Sequence, residues 1–326
     1  TRSTRARELL TEIMPTLLQA LGRTANPDGA LAKFDEFLSG LPAGVQLFAL
    51  LAANPRLLDL IAEVMGTAPA LAEQLSRRPS LLDAVLSPGF FAGLPPREAL
   101  KRELADRLVL ARDFQDRLDV TRRFANDHRF QAGIQFLQGL VGETQAGHFL
   151  SNLADTVLRA LVPAVEEEFA RSYGRIDGAG LAIVALGKLG SREMTPASDL
   201  DLVLLYQAPE GTQSDGAKTL DATTYFTRLA QRLINAVMVQ TGEGALYQID
   251  MRLRPSGNAG PLATSLKGFR RYHDRDAWTW EHMALTRARV VTSEEPFAAE
   301  VGQAIRTVLT APRDPGTLLA DVASMR

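Results

Sequence analysis

Three aspartates in the second half of the chain have the spacing of a metal site. Asp199 and Asp201 stand two residues apart at the start of an apolar run, so on a β-strand both would project from the same face. Asp250 follows in a second segment of alternating polar and apolar residues. Neighbouring carboxylates repel unless a cation lies between them, and Mg²⁺ takes carboxylate oxygens while it leaves positions for phosphate and water. We therefore predict that the three acids bind two Mg²⁺ ions and serve nucleotide transfer.

The segment around the third acid indicates phosphate binding. Alternation over residues 246–254 predicts a half-buried strand with Asp250, Arg252 and Arg254 on its polar face. Two arginines beside an acid suit a site that holds a metal on one side and a phosphate chain on the other. The competing role for these arginines is an ion pair with Glu193 or with Asp250.

A glycine-containing segment lies upstream of the acid pair. A short apolar strand over residues 181–186 is expected to deliver residues 187–191 as a loop at its end. Gly190 would let backbone N–H groups approach a phosphate, and Ser191 adds a hydroxyl donor. Lys188 joins them as a predicted nucleotide-binding residue, although the segment lacks the full glycine–lysine spacing of a P-loop.

These motifs together resemble a known family. Gly-Ser followed by Asp-x-Asp and a later Asp resembles the nucleotidyltransferase fold of the DNA polymerase beta superfamily. Longer strings are similar to bacterial glutamine-synthetase adenylyltransferase, also called the adenylyl-removing enzyme. These strings are ALGKLGSREM (185–194), SDLDL (198–202), YQIDMRLRPSG (247–257) and AWTWEH (277–282).

The resemblance implies an activity and a set of partners. The family has two related halves, one that removes AMP from glutamine synthetase and one that adds it. Residues 254–260 and 278–282 resemble the C-terminal, adenylylating half, since the N-terminal half tends to have Phe where Ser256 stands. The implied reaction moves AMP from ATP to a tyrosine of glutamine synthetase, with glutamine and a PII signalling protein as regulators. One departure is Ser191, where many members carry a second glycine.

Two alternatives stay open. One is the reverse activity, phosphorolytic removal of AMP from adenylylated glutamine synthetase. The other is a catalytically silent module that binds nucleotide, glutamine or a PII protein. The three acids disfavour a silent module, because such a copy has no physical reason to retain mutually repelling carboxylates.

Composition bounds the class of protein. The chain has 326 residues, a net charge of -2 and no cysteine, which disfavours nucleic acid as a partner and excludes disulfides and thiolate metal sites. No apolar run approaches the length of a membrane span, and no signal peptide is recognisable, so we expect a cytoplasmic protein without a membrane partner. The chain begins without methionine and stops at Arg326 inside a predicted helix, which indicates a piece of a longer protein.

The predicted elements favour an α+β fold in three parts. Residues 1–173 form a helical region, residues 174–292 a polymerase beta-like nucleotidyltransferase domain with a mixed sheet, and residues 293–326 the start of a truncated C-terminal helical region. Apolar spacing predicts N-terminal helices over residues 9–21, 31–38, 45–52, 57–65 and 71–75.

Several later segments are also predicted to be helical. A charged helix is expected over residues 97–130 and another over residues 144–172. In the C-terminal part, a helix is predicted over residues 276–290, with Trp278 and Trp280 packed in the core rather than placed to stack on a base.

Overall fold

Apolar residues recur at steps of three and four positions near the N-terminus, the pattern of a helix with one buried face. The computed structural model of the chain describes residues 4–39, 44–79, 81–87 and 89–325. Its first helix, α1 (Thr4–Gly22), buries Leu9, Ile13 and Leu17 on that face. The predicted amphipathic helix is confirmed.

Shorter helices follow α1 in the N-terminal part of the described chain. They are α2 (Pro27–Ser39), α3 (Gly44–Ala53), α4 (Pro55–Thr67), α5 (Pro69–Arg77) and α6 (Leu81–Val85). Three of them begin at a proline, whose fixed φ suits the first helical position and whose missing N–H is not needed there. The helices predicted in this stretch are confirmed.

The chain divides into two compact units, of which the first consists of Thr1–Leu94 and Asn126–Gly142. Its core is built from aromatic and aliphatic side chains of successive helices, among them Phe34, Phe48 and Phe130. Phe34 is 1% exposed and Phe130 is 1% exposed. The burial of this apolar core as a whole, away from water, is the main contribution to the stability of the unit.

The charged segment predicted as one helix over residues 97–130 forms two helices. They are α7 (Arg97–Val109) and α8 (Phe114–Leu137). The break has a local cause, because the Asp113 carboxylate accepts a hydrogen bond of 2.8 Å from the backbone N–H of Asp116. An aspartate in this position starts a new helix by capping its free N–H groups.

A 31-residue helix, α9 (Glu143–Tyr173), lies in the second compact unit, which comprises Pro95–Ala125 and Glu143–Arg326. The structure therefore groups α7 and α9 with the sheet, whereas the sequence-based division placed them in a helical region ending at residue 173. The regrouping has a packing reason. Most residues of α9 are buried, and α9 contacts the sheet as well as neighbouring helices.

The second unit contains a mixed sheet. Its first two strands, β1 (Gly180–Ala185) and β2 (Leu200–Gln207), are antiparallel and are separated by the five-residue helix α10 (Gly187–Ser191). After α11 (Ala222–Met238) come β3 (Ile249–Asp250) and β4 (Ala263–Ser265), which both pair with β2 in parallel at different points along it. The expected mixed sheet and α+β class are confirmed.

Helices cover both faces of this sheet. Tyr206 at the end of β2 stacks on Phe226 of α11, with ring centroids 4.5 Å apart. The other face packs against Phe269 and Phe297, which belong to two of the remaining helices. These helices are α12 (Leu266–Arg275), α13 (Thr279–Leu285), α14 (Phe297–Thr310) and α15 (Pro315–Ser324).

The helix predicted over residues 276–290 is wrong at its C-terminal end. α13 stops at Leu285, and Arg289–Thr292 form β5, which pairs antiparallel with β1. Val291 on β5 is fully buried. β-branched residues fit a buried strand, and here the pairing with β1 overrides the helical spacing. Among the described residues, no helix combines the length and the apolar character needed to cross a membrane.

Two adjacent leucines of α1 test the packing of the first unit. Leu17 is 1% exposed and Leu18 is 50% exposed. We expect Leu17→Ala to lower the free energy of unfolding of this unit by about 2–5 kcal/mol, because it leaves a cavity. Leu18→Ala is the matched control and should stay within about 0.5 kcal/mol of the wild type.

Hydrogen exchange of peptides from residues 4–39 measures this difference, since it reports local and subglobal opening of the unit itself. Equal protection in the two variants would contradict the described packing.

Candidate active site

Strand pairing brings the predicted acids together. β2 and β3 pair in parallel with Asp201 directly opposite Asp250. Asp199 directly precedes β2, and its charge acts on Asp201. Burial raises the pKa of Asp201, and the charges of Asp199 and Asp250 raise it further, while Arg252 opposes them. The three carboxylates therefore lie close enough to repel one another.

Gly187 supports this arrangement and was not among the predicted site residues. It begins α10 with φ +48, and a Cβ placed on it would lie 1.9 Å from Oδ2 of Asp201. Only glycine therefore allows α10 to start so close to the carboxylate. The signal in the sequence was a glycine directly after a predicted strand.

The strand predicted over residues 246–254 is much shorter than expected. Only Ile249 and Asp250 form β3, and the chain then turns. Arg252 lies in this turn and donates from Nε to Oδ2 of Asp250 at 2.7 Å. Its hydrogen bonds lower the pKa of the Asp250 carboxyl. The ion pair with Asp250, one of the two roles considered for Arg252, is present, and phosphate binding by this arginine stays a prediction.

Arg254 has a structural position. It is 7% exposed, and it donates from Nη1 to the carbonyl of Met251 at 2.8 Å and from Nε to the carbonyl of Gly260 at 3.2 Å. A buried guanidinium bonded to main-chain carbonyls fixes the turn that ends β3. This explains why the alternating pattern does not continue as a strand.

The segment predicted as a phosphate loop is the helix α10. Gly190 donates its N–H to the carbonyl of Leu186 at 2.8 Å, so that N–H is not directed at a ligand. A Cβ on Gly190 would lie 2.0 Å from the carbonyl oxygen of Arg287, which gives this glycine a packing role. Ser191 donates to the carbonyl of Gly187 at 3.1 Å, and Lys188 is exposed.

Two tryptophans expected in the core lie at the surface. Trp278 is 70% exposed and Trp280 is 44% exposed, so the core-packing prediction is wrong. Trp278 immediately precedes α13, and its backbone N–H is held by the Glu281 carboxylate at 2.8 Å. That capping interaction sets the start of the helix. His282 is half-buried, and its Nε2 atom lies 3.1 Å from the carbonyl oxygen of His273.

The three aspartates fit Mg²⁺ by their donor chemistry and by their charge. Burial and the charges of Asp199 and Asp250 raise the pKa of Asp201, so a cation among them would offset a repulsion that is present. Within the described residues, no group of three or more acidic or histidine side chains is already arranged to hold a metal ion. The Asp250 carboxylate instead accepts hydrogen bonds from the backbone N–H and the side chain of Arg252.

Comparison with known proteins matches this chain to one family. Residues 58–304 match the family described as glutamate-ammonia ligase adenylyltransferase. Proteins named bifunctional glutamine synthetase adenylyltransferase/adenylyl-removing enzyme are similar over the full chain. The relative from Brucella suis biovar 1 (strain 1330) is 48% identical over 327 residues, which cover 100% of this chain and 33% of the relative. Relatives from Rhizobium meliloti (strain 1021) and Bradyrhizobium diazoefficiens are 47% and 45% identical, with the same coverage. The chain spans about a third of the length of these curated relatives.

The contact between Gly187 and Asp201 can be tested by a double-mutant cycle. We expect Gly187→Ala to destabilise the second unit by roughly 1–2 kcal/mol through its left-handed backbone. The clash with Asp201 adds roughly 0.5–3 kcal/mol. In an Asp201→Ala background only the backbone cost should remain. Urea unfolding followed by far-UV circular dichroism measures all four proteins, and equal costs in both backgrounds would contradict the contact.

Arg252 and Arg254 should respond differently to the same substitution. Arg254→Gln removes charge-assisted hydrogen bonds in a buried setting and should cost about 1.5–3 kcal/mol of stability. Arg252→Gln removes a pair whose arginine side chain is 76% exposed, so the loss should be clearly smaller than for Arg254→Gln. Thermal unfolding of the two variants gives the comparison. A larger loss for Arg252→Gln would reverse the assigned roles.

Proposed function

Because the chain belongs to the glutamate-ammonia ligase adenylyltransferase family, we propose that it transfers AMP from ATP to a tyrosine hydroxyl of glutamine synthetase and releases pyrophosphate. The observation that carries the proposal is the register of β2 and β3. It brings Asp201 opposite Asp250, and the charge of Asp199 also acts on Asp201. Three clustered carboxylates supply the negative charge that would bind metal ions in a metal-dependent nucleotidyl transfer.

The chemical step exchanges one phosphate bond for another. The tyrosine oxygen forms a bond to the α-phosphorus of ATP, and the bond from that phosphorus to the bridging oxygen breaks. Pyrophosphate leaves with the electron pair, and the phenol proton passes to solvent. Magnesium, when held by Asp199, Asp201 and Asp250, supplies positive charge that lowers the pKa of the tyrosine hydroxyl from about 10 and offsets charge on pyrophosphate.

Other residues of this chain would bind and orient the nucleotide. Lys188 is exposed at the first turn of α10, and the exposed guanidinium of Arg252 lies beside Asp250, so both can neutralise phosphate oxygens. Ser191 lies at the other end of α10, and its hydroxyl would have to exchange its hydrogen bonds to Gly187 and Glu193 for one to the nucleotide. Gly190 and Arg254 contribute indirectly, since Gly190 allows α10 to pack closely and Arg254 fixes the turn after β3.

The adenylyl-removing activity is the alternative for the same site. The relatives carry both activities in their name, and this chain matches about a third of their length. Strings at 254–260 and 278–282 favour the adding activity, by their resemblance to the adenylylating half of the family. Removal would require inorganic phosphate as the attacking group, whereas addition requires ATP. The requirement for phosphate or for ATP therefore separates the two reactions.

Regulators and compartment are part of the same proposal. Glutamine and a PII protein would act as regulators, as the family resemblance implies. The reaction would take place in the cytoplasm, where ATP and glutamine synthetase are available. The net charge of -2 agrees with a protein rather than a nucleic acid as acceptor. A silent module remains disfavoured, because the acids lie together and repel.

Transfer should depend on Asp201. We expect the chain, incubated with Mg²⁺, ATP labelled on its α-phosphate and purified glutamine synthetase, to label the synthetase. Asp201→Asn should reduce the rate by about 100-fold or more. The amide has no negative charge with which to hold the metal ion, so the charge that develops in the transition state is less well stabilised. Autoradiography of the separated proteins measures the label.

A matched control is Asp177→Asn, which alters an exposed aspartate before β1 and should leave labelling unchanged. Near-normal labelling by Asp201→Asn would contradict the acid site. Absence of label with the wild type, together with phosphate-dependent release of AMP from adenylylated synthetase, would favour the removing activity.

A further inference from the structure

A buried ion pair lies near the C-terminal end of α10. Asp155 of α9 is fully buried, and Arg289 of β5 binds it through two hydrogen bonds of 2.7 and 2.9 Å. The same guanidinium donates to the carbonyl of Leu189 at 2.9 Å. Arg289 therefore neutralises the buried Asp155 carboxylate and holds α10 at the same time.

Three more arginines surround this pair. Arg192 follows α10 directly. Its Nη2 atom lies 3.9 Å from the Asp155 carboxylate, and its Nη1 atom donates a hydrogen bond of 2.7 Å to Oδ1 of Asn152. Arg159 is one helical turn from Asp155 on α9 and so shares its face. Arg97 starts α7, which packs against α9. We refer to Arg97, Arg159, Arg192 and Arg289 as the arginine cluster.

The arginine cluster has four positive charges that nearby acids offset only in part. Asp155 pairs with Arg289 and lies near Arg192, and Glu98 has its charge next to that of Arg97. Partial burial lowers the pKa of Arg159 and of Arg192, and the charges of neighbouring arginines lower both further, while the charge of Asp155 opposes these effects. Desolvated like charges are costly unless an opposite charge is bound.

An unsatisfied donor points to a missing acceptor. Nε of Arg97 is buried, and no hydrogen-bond acceptor for it lies among the described residues. Buried guanidinium N–H groups are normally paired, so an orphan beside three other arginines marks a place for acceptor oxygens. Arg159 is exposed and leaves the cluster open to solvent on that side.

We propose that the arginine cluster binds a small anion that presents carboxylate or phosphate oxygens. Guanidinium groups match both oxyanions by donating two parallel N–H groups, and four of them around one buried aspartate favour a ligand with more than one negative charge. The site is separate from the three aspartates. Arg289 contacts the carbonyls at the end of α10, whereas Asp201 lies against Gly187 at its start.

Binding of inorganic phosphate and of succinate to the chain tests the proposal and separates the two oxyanions. Isothermal titration calorimetry is performed with MgATP present in excess, so that the nucleotide site is occupied, and with NaCl added to equal ionic strength. We expect at least one probe to bind with a stoichiometry near one per chain. The probe that binds more tightly identifies the class of oxyanion.

Two substitutions on α9 provide the comparison. Arg159→Gln removes one arginine of the cluster, and we expect it to weaken binding about tenfold or more, as for the loss of a charge-assisted contact. Arg171→Gln is the matched control, because Arg171 is exposed on the same helix and pairs with Glu168 at 2.9 Å. It should bind like the wild type, and circular dichroism checks that both variants fold.

Three outcomes would overturn the anion site. Neither probe binds the wild type, or Arg159→Gln binds as tightly as the wild type, or both variants lose affinity equally, which would indicate general attraction rather than a site. None of these outcomes bears on labelling of glutamine synthetase, so the anion site and the proposed transfer stand or fall separately.

Discussion

Repulsion among three carboxylates, enforced by strand pairing, is the constraint around which the second unit is built. Backbone hydrogen bonds between β2 and β3 fix Asp201 opposite Asp250, although this brings two carboxylates of like charge together. The chain offsets part of that cost with Arg252 and leaves Asp201 with a raised pKa. Such a site persists only if its surroundings are stable, and the helices packed on both faces of the sheet supply that stability.

The sequence predicts best what depends on neighbours along the chain. The spacing of Asp199 and Asp201 is a local property of a strand, and the leucine stripe of α1 is a local property of a helix, so both are recovered. The contact of Gly187 with Asp201 joins two elements through space. A glycine after a strand hints at such a contact but does not name its partner.

The wrong predictions share a physical cause, since each pattern is compatible with two structures. Alternation after Asp250 suits a strand, yet it also suits a turn that Arg254 closes through main-chain carbonyls. Helical spacing up to residue 290 is overridden by pairing of β5 with β1. Trp278 has the size of a core residue, but its backbone is fixed by Glu281 at the start of a short helix. In every case a tertiary or capping contact decides between alternatives that local propensity leaves equal.

Helix α10 connects the two charged regions of this unit. It is five residues long, or about 7.5 Å at 1.5 Å per residue, with Asp201 against its first residue and Arg289 bonded to carbonyls near its end. The charges that act on Asp201 are those of Asp199, Asp250 and Arg252. The charges that act on Arg159 and Arg192 are those of Arg97, Arg289 and Asp155. Helix α10 therefore touches both regions at opposite ends, while the charges within each region act mainly on one another, which keeps the proposed anion site and the acid site separate.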